Sequence, residues 1–147
     1  MRKASNVRVL AAGSVLILSS VLTAQTPLHV SIDVKPGDTP TVIETDRQGM
    51  IPVAILTTPQ FNAANVEPTT VRFGPTGTEA EVFRAMLDDV DQDGDLDRLL
   101  LFRLQDVGVS CTTTGDAEVL LKGKTTDGRA FEGSEKVKVE CRNADHE

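Results

Sequence analysis

"LDRLLLFRL", Leu96–Leu104, decides the fold. Its residues are good helix formers, and Leu96, Leu99, Leu100 and Leu104 fall at helical spacing. Leu101 and Phe102 lie off that stripe, however, and the segments on both sides read as strands. Upstream, "EVFRAML" (Glu81–Leu87) alternates Val82, Arg84 and Met86 against Phe83, Ala85 and Leu87. Downstream, "EKVKVEC" (Glu135–Cys141) sets Val137 and Val139 opposite Lys136 and Lys138. A strand is therefore predicted here, and the whole chain then becomes all-β.

The same reading extends in both directions. "LHVSIDV" (Leu28–Val34) alternates Val30, Ile32 and Val34 with polar residues, the pattern of a half-buried strand, and "KPGD" turns the chain after it. "MIPVAIL" (Met50–Leu56) is a core strand whose Pro52, lacking an N–H, belongs near the strand start or at an edge. "TTPQFNAANVEP" is a turn with room for one helical turn. "TTVRFG", "VGVSC", "AEVLLKGKT" and "RAFEG" supply further short runs. Seven or eight short strands at regular spacing, with no long helical pattern, predict a single antiparallel β-sandwich of the immunoglobulin-like kind.

The first 24 residues stand apart. Arg2, Lys3 and Arg8 precede an apolar run from Val9 to Leu22, and Ala24 closes a small-residue site. This is the layout of a secretory signal peptide; the run is short for a membrane span and is interrupted by Ser and Thr. The expected organisation is a signal peptide over 1–24 and one module over 25–147, in an exported protein with no membrane span after cleavage. The leader holds three of the 15 basic residues and none of the 22 acidic ones, so the module carries 12 against 22, a formal charge of −10. That charge disfavours nucleic acid and anionic lipid as partners. In an exported chain, Cys111 and Cys141 are expected to form one disulfide. A Cys nucleophile would need a His partner. The module's histidines, His29 and His146, sit near its two ends and in no motif.

Between the predicted strands at "FRAML" and "LLLF" lies "DDVDQDGDLD", Asp88–Asp97, with six aspartates in ten residues. Counted from Asp89, acids occupy positions 1, 3, 5, 7 and 9, which are Asp89, Asp91, Asp93, Asp95 and Asp97. Gly94 stands at position 6. Alternate carboxylates around a glycine turn suit a calcium ion, which takes six to eight hard oxygens. Magnesium prefers fewer carboxylates, and zinc wants His or Cys. Position 7 in such loops uses its backbone carbonyl, and Leu96 is expected to anchor the loop to the core. An EF-hand requires a bidentate Glu at position 12, where this chain has Leu100. The nine-residue, EF-hand-like D-x-D-x-D-G-x-x-D pattern resembles the calcium loops of integrin α-subunit repeats, thrombospondin type 3 repeats and dockerins. In the integrin type the loop joins two strands.

"IDVKPGD", "GMIPVAIL", "VEPTTVRFGPTG", "DDVDQDGDLD" and "DGRAFEGSEKVKV" follow one another over Ser31–Glu140. Together they resemble a secreted bacterial module found alone or attached to larger exported proteins. The resemblance implies an extracellular module whose one evident site is the aspartate loop, and it implies no activity. Three functions compete: a non-catalytic calcium-stabilised module for structure or adhesion at the cell surface, a carbohydrate-binding module, and a carboxylate-dependent hydrolase. Sugar-binding modules usually stack rings on Trp or Tyr, and the chain has neither. No acid sits beside a His, Lys or Ser in a recognisable catalytic arrangement. The first reading is therefore favoured: calcium as ligand, no enzyme activity, and a cell-surface protein or polysaccharide as the class of partner.

Overall fold

The computed structural model describes residues 11–113 and 115–141. The first ten residues of the expected signal peptide lie outside that range, as does the tail after Cys141. Residues 11–27 contain no helix or strand and leave Val15, Leu16, Ile17 and Leu18 exposed, whereas every buried apolar side chain among the described residues lies between Val34 and Val139. The apolar leader thus contributes nothing to the core.

The chain is all-β. Nine strands follow in order: β1 (Leu28–His29), β2 (Ile32–Val34), β3 (Val42–Glu44), β4 (Met50–Ile55), β5 (Val66–Gly74), β6 (Ala80–Asp88), β7 (Asp97–Arg103), β8 (Gly115–Thr125) and β9 (Ala130–Glu140). Short 3₁₀ turns occur at Ala63–Asn65, Leu104–Asp106 and Cys111–Thr113. "LDRLLLFRL" is a strand as its off-stripe residues required: Leu100 and Phe102 are fully buried, while Leu99 and Leu101 face the other way and are half-buried. "VGVSC" is not a strand. It links two 3₁₀ turns, and Val107 fills the core from that loop.

The nine strands make one sheet, ordered β1-β9-β8-β5-β6-β7-β4-β2, with β3 also on β9. It is a curled half-barrel, which differs from the two separate antiparallel sheets expected of an immunoglobulin-like sandwich. Two features cause the difference. The start of β6 pairs with β5 at Ala80 and Glu81, and from Val82 onward β6 pairs with β7, so one strand turns the corner between the two halves. A register shift between Val82 and Arg84 bulges Phe83 out. The bulge resets the alternation, so that Val82 and Ala85 both pack against the core.

The second feature is a seam. Leu28 and His29 pair in parallel with Phe131 and Glu132 of β9, whereas Ile32, Asp33 and Val34 pair antiparallel with β4. The expected single strand "LHVSIDV" thus joins the two ends of the sheet, and its alternation holds across the break. Gly133 permits the close crossing, because a Cβ there would lie 2.8 Å from the Val30 carbonyl oxygen. Between the pairing of β1 and that of β3, Glu135 of β9 reaches across. Its carboxylate accepts from the Val34 N–H at 2.7 Å and from the Thr41 hydroxyl at 2.8 Å. Parallel pairing of β1 and β3 with β9 is not legible in the alternation, which is the same for both directions.

Pro52 is the third residue of β4, near the strand start as expected, though β4 is no edge strand, with β7 on one side and β2 on the other. Its carbonyl accepts from Lys35 N–H just beyond the last β2–β4 pair, Val34–Val53. The missing N–H therefore falls where that ladder ends, which makes it tolerable.

Cys111 and Cys141 are joined, with Cα atoms 5.3 Å apart. The bond ties the 3₁₀ turn after Val107 to the end of β9, beside the Thr45 hydroxyl at 3.3 and 3.1 Å from the two sulfurs. The bridge closes a span of 30 residues. Loop-closure entropy for such a span gives on the order of 3–4 kcal/mol. Reducing the protein, or replacing both cysteines with serine, is expected to lower its stability in urea titration by that amount. An unchanged midpoint would show that the reduced, unfolded chain is already constrained. Among the described residues no helix is long and apolar enough to cross a membrane.

Candidate metal centre

The aspartate loop connects β6 to β7, and its boundary residues Asp88 and Asp97 are paired across the ladder. Strand–loop–strand is the setting expected from the sequence. The chain turns back through two residues with positive φ, Gln92 at 60° and Gly94 at 96°. A Cβ added at Gly94 would meet nothing within 4 Å, so glycine is favoured there by backbone conformation and not by lack of space.

The carboxylates of Asp89, Asp91 and Asp97 each offer an oxygen, and these oxygens lie within 4.8 Å of one another. That separation is short enough for one cation to bridge all three, so this cluster could hold a metal ion. Asp89 organises the turn from its entry side: its two oxygens accept from the N–H groups of Asp93 at 3.1 Å and Gly94 at 3.0 Å. Asp93 stands outside the three-carboxylate group, and its Oδ1 accepts from the Asp95 N–H at 2.9 Å. The side chain of Asp95 is likewise outside the group. Exposed Asp88 sits at the end of β6.

The Asp91 carboxyl titrates above the usual aspartate value. Partial desolvation is the first cause, followed by hydrogen bonding with the Asp93 side chain; the Asp93 N–H acts in the opposite direction, and the charges of Asp97 and Asp93 raise it again. Desolvation and the acid neighbours thus make Asp91 easier to protonate than an isolated aspartate.

Asp97 is the residue that fixes the loop to the body, and its side chain is completely buried. One oxygen accepts from the Thr57 N–H at 2.8 Å and the other from the Val90 N–H at 2.9 Å. Leu96, the expected apolar anchor, is 53% exposed and does not serve that role. A buried carboxylate with two backbone donors replaces it, since a charged acceptor bonded to N–H groups holds a loop more firmly than a single apolar contact at a rim. Thr57 completes the joint. Its hydroxyl donates to the Leu96 carbonyl at 2.7 Å and accepts from the Ala63 N–H at 3.0 Å. Sequence reasoning missed Thr57, which lies 40 residues from Asp97 and carries no motif. Arg98 adds bonds to the carbonyls of Ala63 and Ala64, so the 3₁₀ turn at Ala63–Asn65 is held to the base of the loop.

No family model, curated protein or solved structure matches the chain.

Proposed function

We propose that the protein is a non-catalytic, exported module whose aspartate loop binds calcium and is stabilised by it. The observation that carries this reading is the convergence of Asp89, Asp91 and Asp97 in one loop, with Asp97 buried and already held by two backbone N–H groups. Hard carboxylate oxygens in such number suit calcium better than magnesium, and the set contains no nitrogen or sulfur for zinc. The role is structural, because among the described residues no base or nucleophile motif flanks the loop for a metal to activate. The disulfide and the apolar leader support export, and the surface is then open to a cell-surface protein or polysaccharide.

A ligand that binds only the folded form adds about 2.7 kcal/mol at 100 times its dissociation constant. Calcium is therefore expected to raise the melting midpoint by several degrees over chelator, and Asp91→Ala to abolish the difference. Asp116→Ala, on β8, leaves the difference intact. Affinity falls with pH in the range where Asp91 takes up a proton, because its raised pKa makes calcium compete with that proton earlier than at an ordinary aspartate. Equal midpoints in millimolar calcium and in chelator, with no heat of binding, would reduce the loop to a solvated acidic turn.

A further inference from the structure

The outward side of β4, β7 and β6 is unusually apolar for a solvated sheet face. In register, one row runs Asp33–Ala54–Leu99–Met86 and the next runs Pro52–Leu101–Arg84, crossing from β2 or β4 to β6. Met50 and the bulged Phe83 extend the apolar surface, 43% and 51% exposed. The inner side of the same strands is the core, so these residues face away from it; Ala54 has no exposed surface there, and Pro52, Leu99, Leu101 and Met86 are half-buried. Besides Arg103, whose guanidinium lies over the Phe83 ring, charges stand at opposite edges of the patch. Asp33 lies on the β2 edge and Arg84 on the β6 edge, and neither has an ion-pair partner within 4.0 Å among the described residues. Asp33 is half-buried, and its carboxyl is pushed up by desolvation first and by the charge of Glu135 second, so an unpaired charge there is unfavourable.

From this placement we infer that the face formed by β4, β7 and β6 pairs with the same face of a second copy of the chain. A twofold axis along the strands lays the β6 edge of one copy over the β2 edge of the other. Leu99 and Leu101 then lie over Ala54 and Pro52 of the second copy, Met86 lies over its Asp33, and Arg84, one row along, comes within reach of the same Asp33, twice by symmetry. One acid edge and one basic edge on the same patch are self-complementary in this arrangement and in few others. Three to four strands about 4.8 Å apart and some five residues long make a small patch beside the roughly 800 Å² per partner of a stable complex. The dimer is accordingly weak, with a dissociation constant on the order of tens to hundreds of micromolar.

Analytical ultracentrifugation of the purified protein from about 5 µM to about 1 mM tests this over the range of weak complexes. A reversible monomer–dimer equilibrium is expected. Leu101→Glu should abolish it, and Ser134→Glu, on the exposed side of β9, should leave it unchanged. Arg84→Asp and Asp33→Arg should each weaken association by about tenfold. Combined in one chain they should restore it, and this rescue does not depend on how well Leu101→Glu folds. A monomer at every concentration, or a dimer indifferent to both the Leu101 and the charge substitutions, would overturn the inference and assign the face to another partner or to solvent.

Discussion

Replacing Asp97 with alanine is expected to cost up to about 2–6 kcal/mol even in the presence of chelator, because it orphans two part-buried N–H groups, and a fully buried one carries a penalty of roughly 1–3 kcal/mol. The two donors are those of Thr57 and Val90, and the carboxylate that serves them is fully buried. Asp97→Asn keeps one acceptor oxygen and should lose less. Asp91→Ala, which removes an exposed acid from a crowded loop, should cost nothing in chelator and should matter only when calcium is present. Urea titrations of the three variants with and without calcium separate the structural share of the loop from the metal-dependent share. If Asp97→Ala were as stable as the parent in chelator, the carboxylate would be a ligand alone and the joint to Thr57 would carry no weight.

Phe102→Ala should cost about 3–5 kcal/mol, the usual range for emptying an aromatic site in a packed core. Phe102 is wholly buried, its ring centroid lies 5.2 Å from that of Phe73, and its register partners are Ile51 and Val82 on the flanking strands. Phe83 supplies the contrast. It is exposed under the Arg103 guanidinium, 4.9 Å from the ring centroid, and its removal should cost no more than about 1 kcal/mol. Thermal and urea denaturation of both variants would check the pair. Comparable losses would mean that the bulge at Phe83 buries more than the structure shows.

These residues also mark what can be read from the sequence. Strand β7 is legible because Leu101 and Phe102 break the helical stripe, and β9 because Val137 and Val139 alternate with lysines. The disulfide follows from an even cysteine count read together with an amino-terminal stretch laid out like a signal peptide. The position of the aspartate loop between two strands is legible from its neighbours. Alternation, however, records only which face a residue takes. It carries no information on which strand lies beside which, so the seam at β1, β2 and β9 and the corner in β6 stay hidden. Hydropathy assigns Leu96 a role that geometry gives to a buried aspartate. Asp97 could be suspected only by knowing that Thr57 and Val90 would present unpaired N–H groups to it. Thr57 itself has no local signature, since its function exists only once the β4 exit and the β7 entry meet.

The seam has a kinetic consequence. Leu28 is paired with Phe131 and Val42 with Lys138, so the first strands in chain order are completed by β9, the last of the nine. Contacts of such long sequence separation place a chain among the slow folders, because the loop must close before the pairing repays it. The hairpins β6–β7 and β8–β9 can form locally, but the edge of β9 stays uncovered until the amino-terminal segment arrives. A nascent chain therefore cannot finish folding before residue 140 is available. Truncation before β9 would leave both ends of the sheet open at once, so chains without β9 should aggregate where those with it fold.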